Sequence, residues 1–325
     1  MFTLAELRQA ATLVHRHIPA TPQIQWPLLR MDTGADVWVK HENHLPTGAF
    51  KMRGGIVFAA HHAHECPGKG IISATRGNHG QSLAWAGTRF GLAVTIVVPF
   101  GNSREKNAAM RALGATLIEY GADFEEARDE AHRRATSHGL TFVPSFSPLL
   151  VKGVATYAME LFQAVPDLDA VYVPVGLGSG LCGTILARDL LGLSTRIIGV
   201  QSTGADCYAR SFAAGRIVTG SRTDTKADGI AVRMPDPDAL RIILAGTERI
   251  VTVGDPEIAG AIRTYWTATH NLIEGAGAAP LAALMREAPA MRGKRVALIA
   301  SGGNIDLSLF QSWVAQPGIA DPENK

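Results

Sequence analysis

The sequence predicts an α/β protein of two lobes, each built on a parallel sheet, and three observations carry that expectation. Short β-branched runs alternate with stretches of helical length, in two successive series. The 325 residues exceed one ordinary core and suit two α/β domains. Apolar residues make up 46% of the chain and charged residues 18%, enough apolar material to cover sheets on both faces.

The elements follow in order. Thr3 and Glu6 form a T-x-x-E capping box, and apolar positions recur at helical spacing until Ile18 meets Pro19, so the chain opens on a helix. Residues 35–43 (ADVWVKHEN) read as a strand that delivers the chain into LPTGAFKMRGG, and helical spacing resumes after Gly55. Lys51 is thereby placed at a strand-to-helix junction. Strands expected at 70–74, 94–99 and 115–120 are each followed by a helix, at 78–91, 103–114 and 123–139. That alternation marks parallel strands joined by right-handed crossovers. A second series starts near residue 151, with strands at 170–175, 196–201, 249–253 and 295–301 separated by helical stretches. A polar tail follows Pro317. The cleft between two such lobes is the expected place for a ligand.

Composition narrows the partners. Lysine and arginine total 31 against 29 aspartates and glutamates, which gives no broad positive field for nucleic acid or acidic membranes. No run reaches the roughly 18–20 apolar residues that a membrane span requires, and the opening segment has no apolar block of secretory length. Cys66, Cys182 and Cys207 are odd in number and lack C-x-x-C spacing, so neither a disulfide framework nor a zinc knuckle is expected. A small-molecule partner and a cytoplasmic location are the expectation.

Three motifs bear chemistry. In Thr47-Gly48-Ala49-Phe50-Lys51 a lysine follows an aromatic residue and a glycine turn, a setting in which a partly desolvated amine forms imines; local sequence alone more often describes a surface lysine at a helix start. Thr75-Arg76-Gly77-Asn78-His79-Gly80 follows a strand and opens a helix, so its backbone N–H groups suit a carboxylate, although Asn and Gly are also common turn-formers. Gly176-Leu177-Gly178-Ser179-Gly180-Leu181-Cys182-Gly183 follows the 170–175 strand, and its glycines let the backbone approach a phosphate. Residues 178–183 also fit the G-x-G-x-x-G dinucleotide fingerprint, but the acidic residue needed at the end of the next strand is Gln201, which disfavours a nicotinamide oxidoreductase. Near the C-terminus, Ser301-Gly302-Gly303-Asn304 ends a strand, where a serine is able to hydrogen-bond a ring nitrogen. The run His61-His62-Ala63-His64-Glu65-Cys66 looks like a metal cluster, yet it ends a helix before Pro67 and adjacent histidines point in different directions around a helix. No metal site is expected from it.

Taken together, TGAFKMRGG, RGNHGQS, the glycine-rich loop and the C-terminal SGGN resemble, in order and spacing, the fold-type II pyridoxal-phosphate family, from about Leu4 to Trp313. The branch it resembles most is that of the threonine and serine dehydratases and serine racemase. The resemblance implies a tryptophan synthase β-like fold with pyridoxal 5'-phosphate in the cleft, a large cofactor-binding domain of residues 1–47 and 151–325, and a small domain of residues 48–150. It implies that Lys51 is the Schiff-base lysine, that Phe50 lies beside the ring, and that Asn78 bonds the ring's phenolic oxygen. Gly176, Leu177, Gly178, Ser179 and Gly180 would cradle the phosphate, Ser301 would face the pyridine nitrogen, and Gly229 and Glu274 would lie near the cofactor. Thr75, Arg76, Asn78 and His79 would meet the substrate. The expected partners are an amino-acid substrate and a second copy of the chain.

Two departures refine the expected activity. Serine racemase carries a serine acid/base at the position of Arg76, and a guanidinium does not take up a proton in proteins, so elimination is expected over racemisation. The glutamate that helps relatives bind a divalent cation is Gln201 here, leaving Asp206 as a poor lone candidate. The expected reaction is loss of water and then ammonia from a 3-hydroxy amino acid such as threonine, serine or 3-phenylserine. A racemase or a β-replacement synthase is the alternative within the family, and the chain lacks the SGNTG-like form of cysteine synthases.

Overall fold

The computed structural model describes residues 1–220 and 223–315. The expected tail after Pro317 lies outside the described residues. In chain order the elements are α1 (Leu4–His15), β1 (Gln23–Gln25), α2 (Pro27–Thr33), β2 (Asp36–His41), α3 (Lys51–Glu65), β3 (Ile71–Ala74), α4 (Asn78–Arg89), β4 (Val94–Val98), α5 (Arg104–Ala112), β5 (Thr116–Glu119), α6 (Phe124–His138) and β6 (Thr141–Phe142). There follow α7 (Pro148–Ala164), β7 (Ala170–Pro174), α8 (Ser179–Leu190), β8 (Arg196–Ser202), α9 (Cys207–Ala214), α10 (Pro237–Gly246), β9 (Arg249–Val253), α11 (Asp255–Thr269), α12 (Gly275–Arg286), α13 (Ala288–Met291), β10 (Arg295–Ala300) and α14 (Leu307–Val314).

The strands form two sheets, as the alternation predicts, in the orders β5-β4-β3-β6 and β1-β2-β10-β7-β8-β9. Every pairing is parallel except that of β1 with β2, where Gln23 to Gln25 run antiparallel to Lys40 to Trp38. That edge strand has three residues and no alternation to betray it in the sequence. The capping box is made as expected: the Glu6 amide donates to Thr3 Oγ1 and the Thr3 amide to the Glu6 carboxylate.

Two compact units result, residues 1–20 with 45–156 and residues 21–44 with 157–325, the division falling inside α7. This differs from the expected partition mainly at residues 1–20. Ala10, Val14 and Ile18 bury their side chains in one cluster with Met52, Ile56 and Leu83, so α1 belongs to the smaller unit. The capping box specifies where that helix starts, not which sheet its apolar stripe covers.

In the smaller unit, α3 and α7 meet at backbone contact. A Cβ on Gly153 would lie 2.3 Å from the Arg53 carbonyl oxygen, and one on Gly54 would lie 2.8 Å from that of Leu150. Arg53, fully buried on α3, donates to Thr156 Oγ1 at 3.1 Å. These contacts fix the first turn of α3, which Lys51 begins. Gly153→Ala should therefore lower stability by about 1–3 kcal/mol, because neither backbone yields easily to the added methyl. Urea denaturation followed by circular dichroism checks this, and an unchanged midpoint contradicts it.

Candidate functional site

In the smaller unit the site grows from two helix starts. Lys51 is half-buried, with Nζ 5.1 Å from the centroid of the Phe50 ring. Its backbone carbonyl accepts a 2.6 Å hydrogen bond from Ser82 Oγ, one turn beyond Asn78 on α4. This approach needs a glycine across from Ser82, since a Cβ on Gly55 would come within 2.3 Å of Ser82 Oγ. A single contact thus ties the start of α3 to the start of α4.

Between β3 and α4, Thr75 is buried and its Oγ1 accepts from the Gly77 amide at 3.0 Å. Gly77 precedes α4 without a side-chain cap. Among the described residues the His79 and Gly80 amides donate to no protein group, as the first turn of a helix leaves them. Asn78 is half-buried, whereas Arg76 is exposed. His79 is 4% exposed and its ring hydrogen-bonds the Val143 carbonyl. Nε2 of that ring has no partner among the described residues. Burial, and then the positive charge of nearby Lys51, push the His79 imidazole down to about 3, so the ring is neutral at neutral pH.

In the larger unit, β7 runs into the glycine loop and then α8. A Cβ on Gly176 would lie 2.3 Å from the Gly229 carbonyl oxygen, so only a hydrogen fits there. Gly178 has φ of +99°, in the left-handed region. The amides of Gly176, Leu177, Gly178, Ser179 and Gly180 donate to no other described residue. Their carbonyls, by contrast, are braced: Tyr208 Oη donates to the Leu177 oxygen and Tyr157 Oη to the Gly180 oxygen, each at 2.9 Å. Burial pushes the Tyr208 phenol up, which keeps it a donor.

The other expected cofactor residues of this unit converge on the same loop. Gly229, against Gly176, lies where a Cβ would be 2.8 Å from Ala276 Cβ and 3.8 Å from Glu274 Oε1. Glu274 is buried, and its amide donates to the Gly302 carbonyl at 3.0 Å. Ser301, 3% exposed, immediately follows β10. Gly176, Gly229, Glu274 and Ser301, far apart in sequence, are thus joined through a short chain of contacts. Sequence reasoning missed the two buttressing tyrosines, which carry no local motif, and the inward turn of His79.

The remaining polar candidates are accounted for elsewhere. Gln201 is buried, and its Oε1 accepts from the Ala209 amide at 2.9 Å. Asp206 pairs with Arg210 at 2.8 Å. In the histidine run, His62 Nε2 bonds the Lys69 carbonyl while His61 and His64 are exposed. Among the described residues no three His, Cys, Asp or Glu side chains are grouped to hold a metal ion.

The family model described as "Pyridoxal-phosphate dependent enzyme" matches residues 14–302. An L-threonine ammonia-lyase of Thermotoga maritima is 33% identical over 311 residues, 95% of this chain and 77% of that protein. An L-threo-3-hydroxyaspartate ammonia-lyase of a Pseudomonas species is 33% identical over 293 residues, 90% of this chain and 92% of the relative. The structure of maize serine racemase superposes with a TM-score of 0.90 at 26% identity, covering 95% of this chain and 96% of that one. With a family match spanning most of the sequence and both helix-start motifs inside it, the chain belongs to the pyridoxal-phosphate-dependent enzymes.

Proposed function

We propose that this enzyme is a dehydratase, converting a 3-hydroxy amino acid to a 2-oxo acid and ammonia by α,β-elimination. The observation that carries the reading is that the turn from Thr75 to His79 offers no second proton carrier. Arg76 is a guanidinium, which does not accept protons in proteins. His79 is held neutral by burial, at about 3. The Thr75 hydroxyl is engaged with the Gly77 amide. Racemisation needs an acid/base group on each face of the α-carbon; elimination needs one that removes the α-proton. The threonine and hydroxyaspartate ammonia-lyases matched above support the same reaction class.

The residues fit the cofactor. Five amides without partners among the described residues, at the start of a twelve-residue helix, suit a phosphate group. The Gly176–Gly229 contact leaves no room for a side chain that would cover them. Ser301 would offer an uncharged hydroxyl to the pyridine nitrogen, Asn78 an amide to the ring oxygen, and Lys51 the amine that would hold the cofactor. Once bound, pyridoxal phosphate supplies an electron sink for the pair released at the α-carbon.

The chain's own groups do the rest. The α4 amides of His79 and Gly80 receive the substrate carboxylate. The Lys51 amine would take the α-proton and, so protonated, would give a proton to the departing 3-hydroxyl, which leaves as water. The product leaves as a 2-aminoalkenoate, which tautomerises and takes up water to give the 2-oxo acid and ammonium. Threonine, serine, 3-hydroxyaspartate and 3-phenylserine all possess the reacting atoms. A cytoplasmic location and a homodimeric state belong to this proposal; separately, no described helix is long and apolar enough to cross a membrane.

Three outcomes are expected. Lys51→Ala loses both the visible absorption of the lysine-bound cofactor and the formation of 2-oxo acid; retained turnover contradicts the assignment. Arg76→Ser gains measurable exchange of α-carbon configuration or changes the ranking of substrates, read by chiral chromatography and a 2-oxo acid assay; neither change contradicts the role given to Arg76. Gly176→Ala weakens cofactor binding at least about 10-fold in equilibrium dialysis, a loss of about 1.4 kcal/mol, and unchanged affinity contradicts the cradle.

A further inference from the structure

His79 is the buried titratable group that the dehydratase mechanism leaves without a proton-transfer task. Its Nδ1 faces the Val143 carbonyl, which is only an acceptor, so the proton of the neutral ring sits on Nδ1. Nε2 is then a bare lone pair, and among the described residues nothing donates to it. An acceptor so placed, 4% exposed, costs free energy unless a donor arrives. The charged side chain whose field reaches the ring is that of Lys51.

We propose that His79 is a positioning residue for Lys51: its Nε2 accepts a hydrogen bond from the Lys51 amine once the substrate has displaced that amine from the cofactor. The inference rests on the assignment of Lys51 as the cofactor-holding lysine. Rotation about the last bond of a lysine side chain is otherwise free, and one N–H committed to a fixed acceptor turns the amine's lone pair in one direction. The imidazole holds the amine without taking its proton. After Lys51 has taken the α-proton, the same contact is charge-assisted and therefore stronger, which favours the proton-loaded amine. Ser82 contributes from the other end, because its bond to the Lys51 carbonyl fixes the backbone from which the side chain departs.

Two substitutions separate this role from a purely structural one. His79→Gln keeps an oxygen acceptor near the position of Nε2 and gives up the bond to Val143. His79→Asn keeps a donor for Val143 and leaves nothing at the position of Nε2. Pyridoxal 5'-phosphate is added to the full-length chain after removal of its cofactor, and growth of the visible band is timed. The Asn variant should be slower by about 10-fold and the Gln variant within about 3-fold of the parent, the effect of one hydrogen bond to an amine. Equal rates, or the reverse order, overturn the proposal. If the Asn variant does not fold, histidine-selective nitrogen-15 spectra of the parent holoenzyme decide: a proton on Nδ1 that persists across neutral pH supports the proposal, and one on Nε2 overturns it. Neither readout depends on which amino acid is turned over. A chain with normal rates and tautomer that yields no 2-oxo acid therefore loses the dehydratase reading alone, whereas a parent chain that forms no visible band loses both.

Discussion

A strand that feeds a glycine turn and then a helix leaves amide N–H groups with no partner among the described residues, and the proposed chemistry of this chain depends on that constraint. The constraint is met twice. At the start of α4 the His79 and Gly80 amides are left over, and at the start of α8 so are five consecutive amides from Gly176 to Gly180. Each set is a ready site for negative charge because the helix dipole adds to the hydrogen-bond donors. A phosphate and a carboxylate are the two anions that an amino acid and its pyridoxal partner bring.

Holding these turns open requires support from behind, and the support is made of close backbone packing and neutral hydrogen bonds. Gly55 lets Ser82 reach the Lys51 carbonyl, and Gly176 lets the 229 turn press against the glycine loop. Tyr157 and Tyr208 anchor the loop by its carbonyls, leaving its amides for a ligand. His79 is neutral and Ser301 uncharged, so in the proposed reaction Lys51 is the proton carrier that the turn at residues 75–79 does not duplicate. Arg76 adds charge without adding a base.

Much of this was legible in the sequence because the motifs sit where period and composition change. Gly77 and the 176–180 glycines interrupt strand-to-helix junctions, and the alternation around them predicts both sheets. The packing of α1 was not legible: Thr3 and Glu6 mark a helix start, while the choice of sheet depends on how Ala10, Val14 and Ile18 meet Met52 and Ile56. Nor was the antiparallel β1, three residues long. Gly229 could be matched to a family position, but its contact with Gly176 is a tertiary fact, as is the inward turn of His79, which reads in sequence as one more residue of a helix start. Tyr157 and Tyr208 look like ordinary core aromatics until the acceptors they reach are known.

The proposed reaction requires Lys51 to be the residue that holds the cofactor. Reduction of the holoenzyme with borohydride makes the cofactor–lysine bond permanent, and peptide mass spectrometry then locates it. The pyridoxyl phosphate is expected on the peptide bearing Lys51 and on no other. A label carried by Lys40 or Lys106 instead, with Lys51 unmodified, would contradict the account at its base.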